Sequence, residues 1–123
     1  MKKLFLILLV LLMAAGSLFA AGIELGDFPL GKWLDSRWGA VWEFSSGNIR
    51  ILNLQGDVVY DFDGKTINDF TVKPGTGGLV LSFSCEESGR KYQFTKPLTN
   101  LNLKMVIDKN SGSHYEAELP IQR

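Results

Sequence analysis

The chain has 123 residues, 46% of them hydrophobic, and its thirteen basic and thirteen acidic residues leave a formal net charge of zero. Such a balance argues against a nucleic acid or an anionic membrane surface as a partner. The single cysteine, Cys85, excludes an internal disulfide. With one histidine, His114, the chain has little from which to build a catalytic triad. We therefore predict a non-enzymatic protein without a cofactor or a bound metal.

The N-terminus has the pattern of an export signal. Lys2 and Lys3 precede an apolar run over 4–13, and small residues surround a cleavage point after Ala20. We predict a signal peptide over 1–20 and a secreted or periplasmic protein of the bacterial envelope. No stable membrane insertion is expected once the signal is removed. The remainder, about a hundred residues, corresponds to one domain.

The segment Trp33–Leu54 holds all three tryptophans of the chain. In its middle, aromatic and small apolar residues recur at every second position: Trp38, Ala40, Trp42 and Phe44. In an extended strand this spacing places their side chains on one face. Gly47 and Asn48 follow as a turn pair that accepts positive φ. We predict a β-hairpin whose aromatic face begins the hydrophobic core.

Short alternating segments separated by turn residues make up the rest of the chain. After a lead-in over 21–30, we predict eight or nine strands over 31–35, 38–45, 48–54, 58–62, 65–72, 79–85, 90–96, 101–108 and 114–119. No segment of this region has a helical 3.6-residue apolar period. The glycine-rich stretch over 73–78 is predicted to be the loosest connection between strands.

This pattern predicts an all-β domain over 31–123. A small antiparallel up-and-down barrel of about eight strands is favoured, since a series of hairpins avoids open edges by closing. A β-sandwich is the alternative. An outer-membrane barrel is not expected, because its lipid-facing side must be apolar and here the second face carries charges. These charged residues are Glu43, Arg50, Lys104 and Glu116.

The motif Gly31-Lys32-Trp33 at the start of the first strand, together with the strand rhythm, resembles the calycin superfamily of lipocalin-like β-barrels. The resemblance implies that Trp33 is a structural plug across the closed end of a barrel, with Arg90 or Lys104 as its cationic partner. The chain departs from lipocalins in lacking their C-terminal helix and their disulfide. The resemblance implies an architecture and does not name a ligand.

The abundance of large rings predicts an apolar interior with room for one small ligand at most. We expect Trp38, Trp42, Tyr60 and Tyr92 to line that site. The glycine-rich connection, through Lys73, Gly75 and Gly77, is predicted as a loop at its mouth. The expected function is binding of a small apolar or amphipathic ligand, or of an envelope protein.

Other interpretations remain open at this stage. An interaction or inhibitor module with a filled core would act through outward apolar residues, namely Val41, Leu52, Leu54 and Val80. An acidic cluster (Asp57, Asp61, Asp63 and Asp69) is oxygen-rich enough to suggest calcium or a hydrolytic carboxylate pair, but it lacks the calcium-loop signature. Cys85 continues an apolar face and is expected to be buried. His114 is expected to be a solvated turn residue.

Overall fold

A computed structural model describes residues 23–122. The predicted signal peptide over 1–20 lies outside the described residues. The described part forms nine strands: β1 (Gly31–Asp35), β2 (Ala40–Ser45), β3 (Asn48–Leu52), β4 (Val58–Asp61), β5 (Ile67–Gly75), β6 (Gly78–Cys85), β7 (Arg90–Lys96), β8 (Leu103–Lys109) and β9 (His114–Leu119). Within this range no helix is long and apolar enough to cross a membrane. The all-β prediction is confirmed.

The strands form two antiparallel sheets. Sheet A has the order β1-β2-β3-β4 and sheet B the order β5-β6-β7-β8-β9, so every hydrogen-bonded neighbour is also a neighbour in sequence. Each of the nine predicted segments contains a strand, because alternation and turn residues are local signals that the tertiary structure respects.

The predicted closed barrel is not confirmed, and the arrangement is sandwich-like. In the described residues β4 pairs only with β3 and β5 only with β6, which leaves a seam between the two sheets. Two features of the strands account for this. β4 has only four residues, and β5 carries an irregularity at Asn68–Thr71 with Asp69 at a φ of 55°. A short strand and a bulge both interrupt a ladder of hydrogen bonds.

The edge strands β1 and β9 form a second seam between the sheets, which the segment after β9 partly bridges. The amide of Leu34 donates to the Pro120 carbonyl at 3.0 Å, and the amide of Gln122 donates to the Lys32 carbonyl at 2.8 Å. Trp33 and Ile121 form an isolated antiparallel bridge. The end of the chain therefore holds the edge strand β1 against sheet B.

The predicted β2–β3 hairpin forms as expected, with Ser45 paired to Asn48 around the turn. Its inward side chains Trp42 and Phe44 are buried. From there they contact rings of sheet B, with Trp42 5.7 Å from Tyr92 and 5.1 Å from Phe94, measured between ring centroids. Trp38, however, is not part of this buried face. It lies in the β1–β2 turn and is 68% exposed, since the strand begins only at Ala40.

The lead-in belongs to the core, which the sequence did not indicate. Ile23, Leu25 and Phe28 are all buried within the main apolar cluster. The Phe28 ring lies 5.4 Å from the Phe44 ring. This segment covers the end of the interior where β1 begins, so the folded unit starts before residue 31.

Trp33 closes the same end. Its indole Nε1 donates to the Leu101 carbonyl at 2.8 Å, and its ring packs edge-on against Phe44 at 5.4 Å. Gly31 has a φ of 151°, and a Cβ atom there would lie 3.3 Å from the Trp33 ring. The Gly-x-Trp motif thus has a local reason, because the indole folds back over the glycine.

Replacing Phe28 tests whether the lead-in is structural. We expect Phe28→Ala to lower the free energy of unfolding by about 3–5 kcal/mol, the cost of a cavity left by a buried phenylalanine. Leu30→Ala is the control, since Leu30 is 55% exposed and should change stability by less than about 0.5 kcal/mol. Urea unfolding followed by tryptophan fluorescence measures both. Equal stabilities for the two variants would contradict this account.

The glycine-rich connection is mostly strand and not loop, which corrects the predicted boundary. Lys73, Pro74 and Gly75 lie within β5, and only Thr76 and Gly77 separate it from β6. Pro74 is tolerated because β5 is an edge strand of sheet B, and an edge proline removes no ladder hydrogen bond.

Two adjacent glycines in this hairpin give a matched pair of variants. Gly78 has a φ of 139°, and a Cβ atom there would come within 2.2 Å of the Lys96 carbonyl oxygen. We expect Gly78→Ala to destabilise the domain by about 2 kcal/mol or more. A Cβ atom on Gly77 would meet only the Thr95 methyl, at 3.6 Å, so Gly77→Ala should be nearly neutral. The thermal midpoints of the two variants should differ by several degrees, and coincident midpoints would refute the argument.

Candidate ligand-binding site

A cavity of about 340 Å³ opens between the two sheets at the end opposite the lead-in. Its apolar wall is built by inward residues of both sheets: Ala40, Trp42, Ile51, Met105 and Ile107. Its size lies at the lower end of the ligand-site range, about 300–1,000 Å³.

The cavity exists because the inward residues become smaller towards this end of sheet A. Along β2 the inward positions hold Phe44, Trp42 and then Ala40. The partner of Ala40 on β1 is Asp35. With a methyl group and a carboxylate in place of two rings, the space between the sheets is not filled.

A polar cluster forms one rim of the cavity. Asp35 is buried, and both of its carboxylate oxygens accept from the Tyr115 hydroxyl, at 3.1 and 2.9 Å. The backbone amide of Arg37 donates to the same carboxylate at 3.1 Å. Burial, followed by the hydrogen bond to Asp35, raises the pKa of Tyr115. The hydroxyl therefore stays protonated and serves as a fixed donor to Asp35.

Aromatic and cationic contacts complete this rim. The Arg37 guanidinium lies 5.4 Å from the centre of the Tyr115 ring. The exposed Trp38 ring packs edge-on against Tyr115 at 6.3 Å. Both residues come from the β1–β2 turn, so that turn is held at the mouth by contacts to β9.

Two cations of sheet B also line the cavity, Arg90 half-buried and Lys109 exposed. Arg90 at the start of β7 and Lys109 at the end of β8 are register partners, and both line the cavity. Each lies two positions from an inward-facing residue of its own strand, Arg90 from Tyr92 and Lys109 from Ile107, and so faces the same side of the sheet. In residues 23–122 neither of them takes part in an ion pair.

His114 borders the mouth on the outward side of β9. Its Nδ1 pairs with Asp108, and its Nε2 lies 3.4 Å from Glu116 Oε2. The hydrogen bond to Asp108, then the one to Glu116, raises the pKa of His114. It is an exposed residue, as predicted, but it has two carboxylate partners.

These contacts predict a small pH dependence of stability. Because the folded pKa of His114 is raised, its stabilising contribution is fully present below its unfolded pKa of about 6.5 and is lost as pH rises through the folded value. We expect the difference in unfolding free energy between the wild-type protein and His114→Gln to shrink as the pH rises from about 6 through the folded pKa of His114. Urea unfolding at each pH measures it, and a difference independent of pH would contradict the assignment.

The four predicted lining residues separate into two pairs. Trp42 forms part of the cavity wall and Trp38 stands at its mouth. Tyr60 and Tyr92 do not line the cavity. The buried Tyr92 ring stacks on Phe83, and its hydroxyl donates to Ser88 Oγ at 3.0 Å. The Tyr92 side chain points inward as expected, but neighbouring rings separate it from the cavity.

Tyr60 lies near the β4–β5 seam beside Cys85. Its hydroxyl is 3.6 Å from the Cys85 sulfur, and the Lys65 ammonium lies 5.1 Å from its ring centre. Burial and the contact with Cys85 raise the pKa of Tyr60 to about 12. Cys85 itself is buried, as its alternation predicted.

The other predicted site features lie away from the cavity. Gly75 and Gly77 sit at the β5–β6 turn, at the end of sheet B where β7 finishes, whereas the cavity lies where β7 begins. Neither Arg90 nor Lys104 is a cationic partner of Trp33. Arg90 lines the cavity, and Lys104 is paired in register with Glu118 on β9.

The acidic cluster does not assemble into a metal site. Asp57 accepts from Asn53, and Asp61 accepts from Asn48 and from the Asp63 amide. These hydrogen bonds lower the pKa of Asp61. Across residues 23–122, no group of three or more His, Cys, Asp or Glu side chains is placed to hold a metal ion.

The outward apolar residues do not form one exposed patch. Val41 and Leu52 are register partners in sheet A and are both buried. Leu54 is exposed and lies beside Gly39, where an added Cβ atom would be 3.7 Å from the Leu54 side chain. Val80 belongs to sheet B.

The chain matches no known family model, no curated protein and no solved structure.

Proposed function

We propose that this protein is an exported, non-enzymatic binding protein that holds a small apolar or amphipathic ligand between its two sheets. The observation that carries the proposal is the cavity at the Asp35–Ala40 end, which has an apolar wall and a polar rim. Concave apolar sites with a few oriented polar groups are the usual form of a small-molecule site.

The contrast between the two ends of the interior supports this proposal. At one end Phe28, Trp33 and Phe44 fill the space between the sheets. At the other end Ala40 leaves it open. A closed end and an open end are what a binding protein needs, because the packed rings hold the sheets apart at a fixed distance while the ligand occupies the remainder.

The exposed Trp38 also fits this function. A large ring that is 68% exposed gains little stability where it stands. Its position against Tyr115 at the mouth places it where a ligand entering the cavity would cover it. The outer face is a weaker basis for function, since Val41 and Leu52 are already buried there.

Filling the cavity tests the proposal. A neutral apolar dye, N-phenyl-1-naphthylamine, should bind the wild-type protein with saturation and enhanced fluorescence. Ala40→Phe places a ring in the cavity and should weaken this binding by about tenfold or more, equivalent to about 1.4 kcal/mol. Ser45→Phe is the control, because Ser45 is on the same strand but its side chain faces outward and it lies at the opposite end of β2.

Thermal unfolding should stay cooperative for both phenylalanine variants, so that a loss of binding reports on the cavity alone. Saturable binding that survives Ala40→Phe, or no saturable binding by the wild-type protein, would rule out this site.

A further inference from the structure

We infer that the ligand of this cavity is an apolar molecule carrying one anionic group, which Arg90 and Lys109 bind together. The inference rests on the proposed function and specifies the ligand class of that site. It starts from the placement of two like charges directly opposite each other on neighbouring strands.

Such a pair is unfavourable by itself. Like charges at directly opposed positions of an antiparallel pair repel and destabilise the sheet. Arg90 and Lys109 also share the inward face, so their side chains cannot diverge to opposite sides of sheet B. An anion that lies near both cations would relieve the repulsion between them.

Four other strand cations stand across from carboxylates. Lys32 and Arg50 both contact Glu43. Lys91 is the register partner of Asp108, and Lys104 that of Glu118. In each of these cases a carboxylate stands across from the cation. Only at the cavity, within the described strands, do two cations oppose each other.

The carboxylates of the surrounding elements are already engaged. Glu86 accepts from Asn68, and Glu87 accepts from the amide and hydroxyl of Thr66. Asp35, the carboxylate in the cavity lining, accepts from Tyr115 and from the Arg37 amide. None of these carboxylates forms a salt bridge with Arg90 or Lys109.

The two cations are suited to a small anion. Arginine offers a planar fork of donors that matches a carboxylate or a phosphate, and lysine adds a mobile point charge. Trp42, Met105 and Ile107 line the same cavity and would contact the apolar part of the ligand. The combination predicts an anionic amphiphile, with either a carboxylate or a phosphate head.

Matched probes test the inference. Binding of 2-naphthoate is compared with that of 2-naphthamide, which has the same shape without the charge, and with 2-naphthyl phosphate. We expect the wild-type protein to prefer naphthoate over naphthamide by about tenfold or more at low salt. The preference should decrease at high salt because the ion pair is partly exposed. The tighter of the two anions identifies the head group.

The double variant Arg90→Gln/Lys109→Gln should abolish this preference, which is measured as the ratio of the naphthoate and naphthamide affinities of the same protein. The control, Lys91→Gln/Lys104→Gln, removes the same charge from the outer face and should keep the preference. The cavity variant should also melt at the same temperature as the wild-type protein or higher, since the repulsion between the two cations is removed.

Equal affinities of the wild-type protein for naphthoate and naphthamide would overturn the anionic-ligand inference and leave the cavity proposal standing. A naphthoate preference that persists in the Arg90→Gln/Lys109→Gln variant would also overturn it. Failure of every probe to bind, the neutral dye included, would instead refute the proposed function itself.

Discussion

The structure depends on the contact between Trp42 of sheet A and the rings of sheet B. Trp42 lies within 6 Å, between ring centroids, of Tyr92 and Phe94 of sheet B, and it stacks on Phe62, which follows β4 on its own side. Aromatic pairs at such distances and tilts are favourable beyond the area they bury. The two sheets share no continuous ladder of hydrogen bonds in the described residues, so these ring contacts join them together with the hydrogen bonds between β1 and residues 120–122.

The same contact sets the position of the cavity. Towards the lead-in, Trp42 is followed by Phe44 and Phe28, which fill the space between the sheets. Towards the turns it is followed by Ala40, and the space opens. One side chain thus belongs both to the packed core and to the wall of the site, so the stability of the sandwich and the shape of the cavity are physically coupled.

The polar groups of the site form two sets with different roles. Asp35 and Tyr115 satisfy each other and attach β1 to β9 across the mouth. Arg90 and Lys109, which line the same cavity, take part in no ion pair among the described residues. Two like charges opposed on neighbouring strands are unfavourable for a fold that serves stability alone. Proteins accept such costs mainly at functional positions.

The sequence by itself determined the strands, the central hairpin and which side chains of each strand face the core. Alternation assigns Trp42, Phe44, Phe83 and Phe94 to the interior, and the structure buries all four. Alternation is a property of one strand, so it is readable without knowing the partner strand. Of the four expected lining residues, Trp42 is at the cavity for this reason, whereas Trp38 is there because the β1–β2 turn lies at the mouth.

Only the tertiary structure decided which residues meet. The hydrogen bonds from Tyr115 to Asp35 join positions eighty residues apart, and the opposition of Arg90 and Lys109 depends on the β7–β8 register. Burial of the lead-in and the separation into two sheets likewise follow from how distant segments pack. Alternation of apolar residues specifies which face of a strand is buried, but neither its pairing register nor its neighbouring strand. The strands could therefore be predicted from the sequence, whereas the cation pair and the open seam could not.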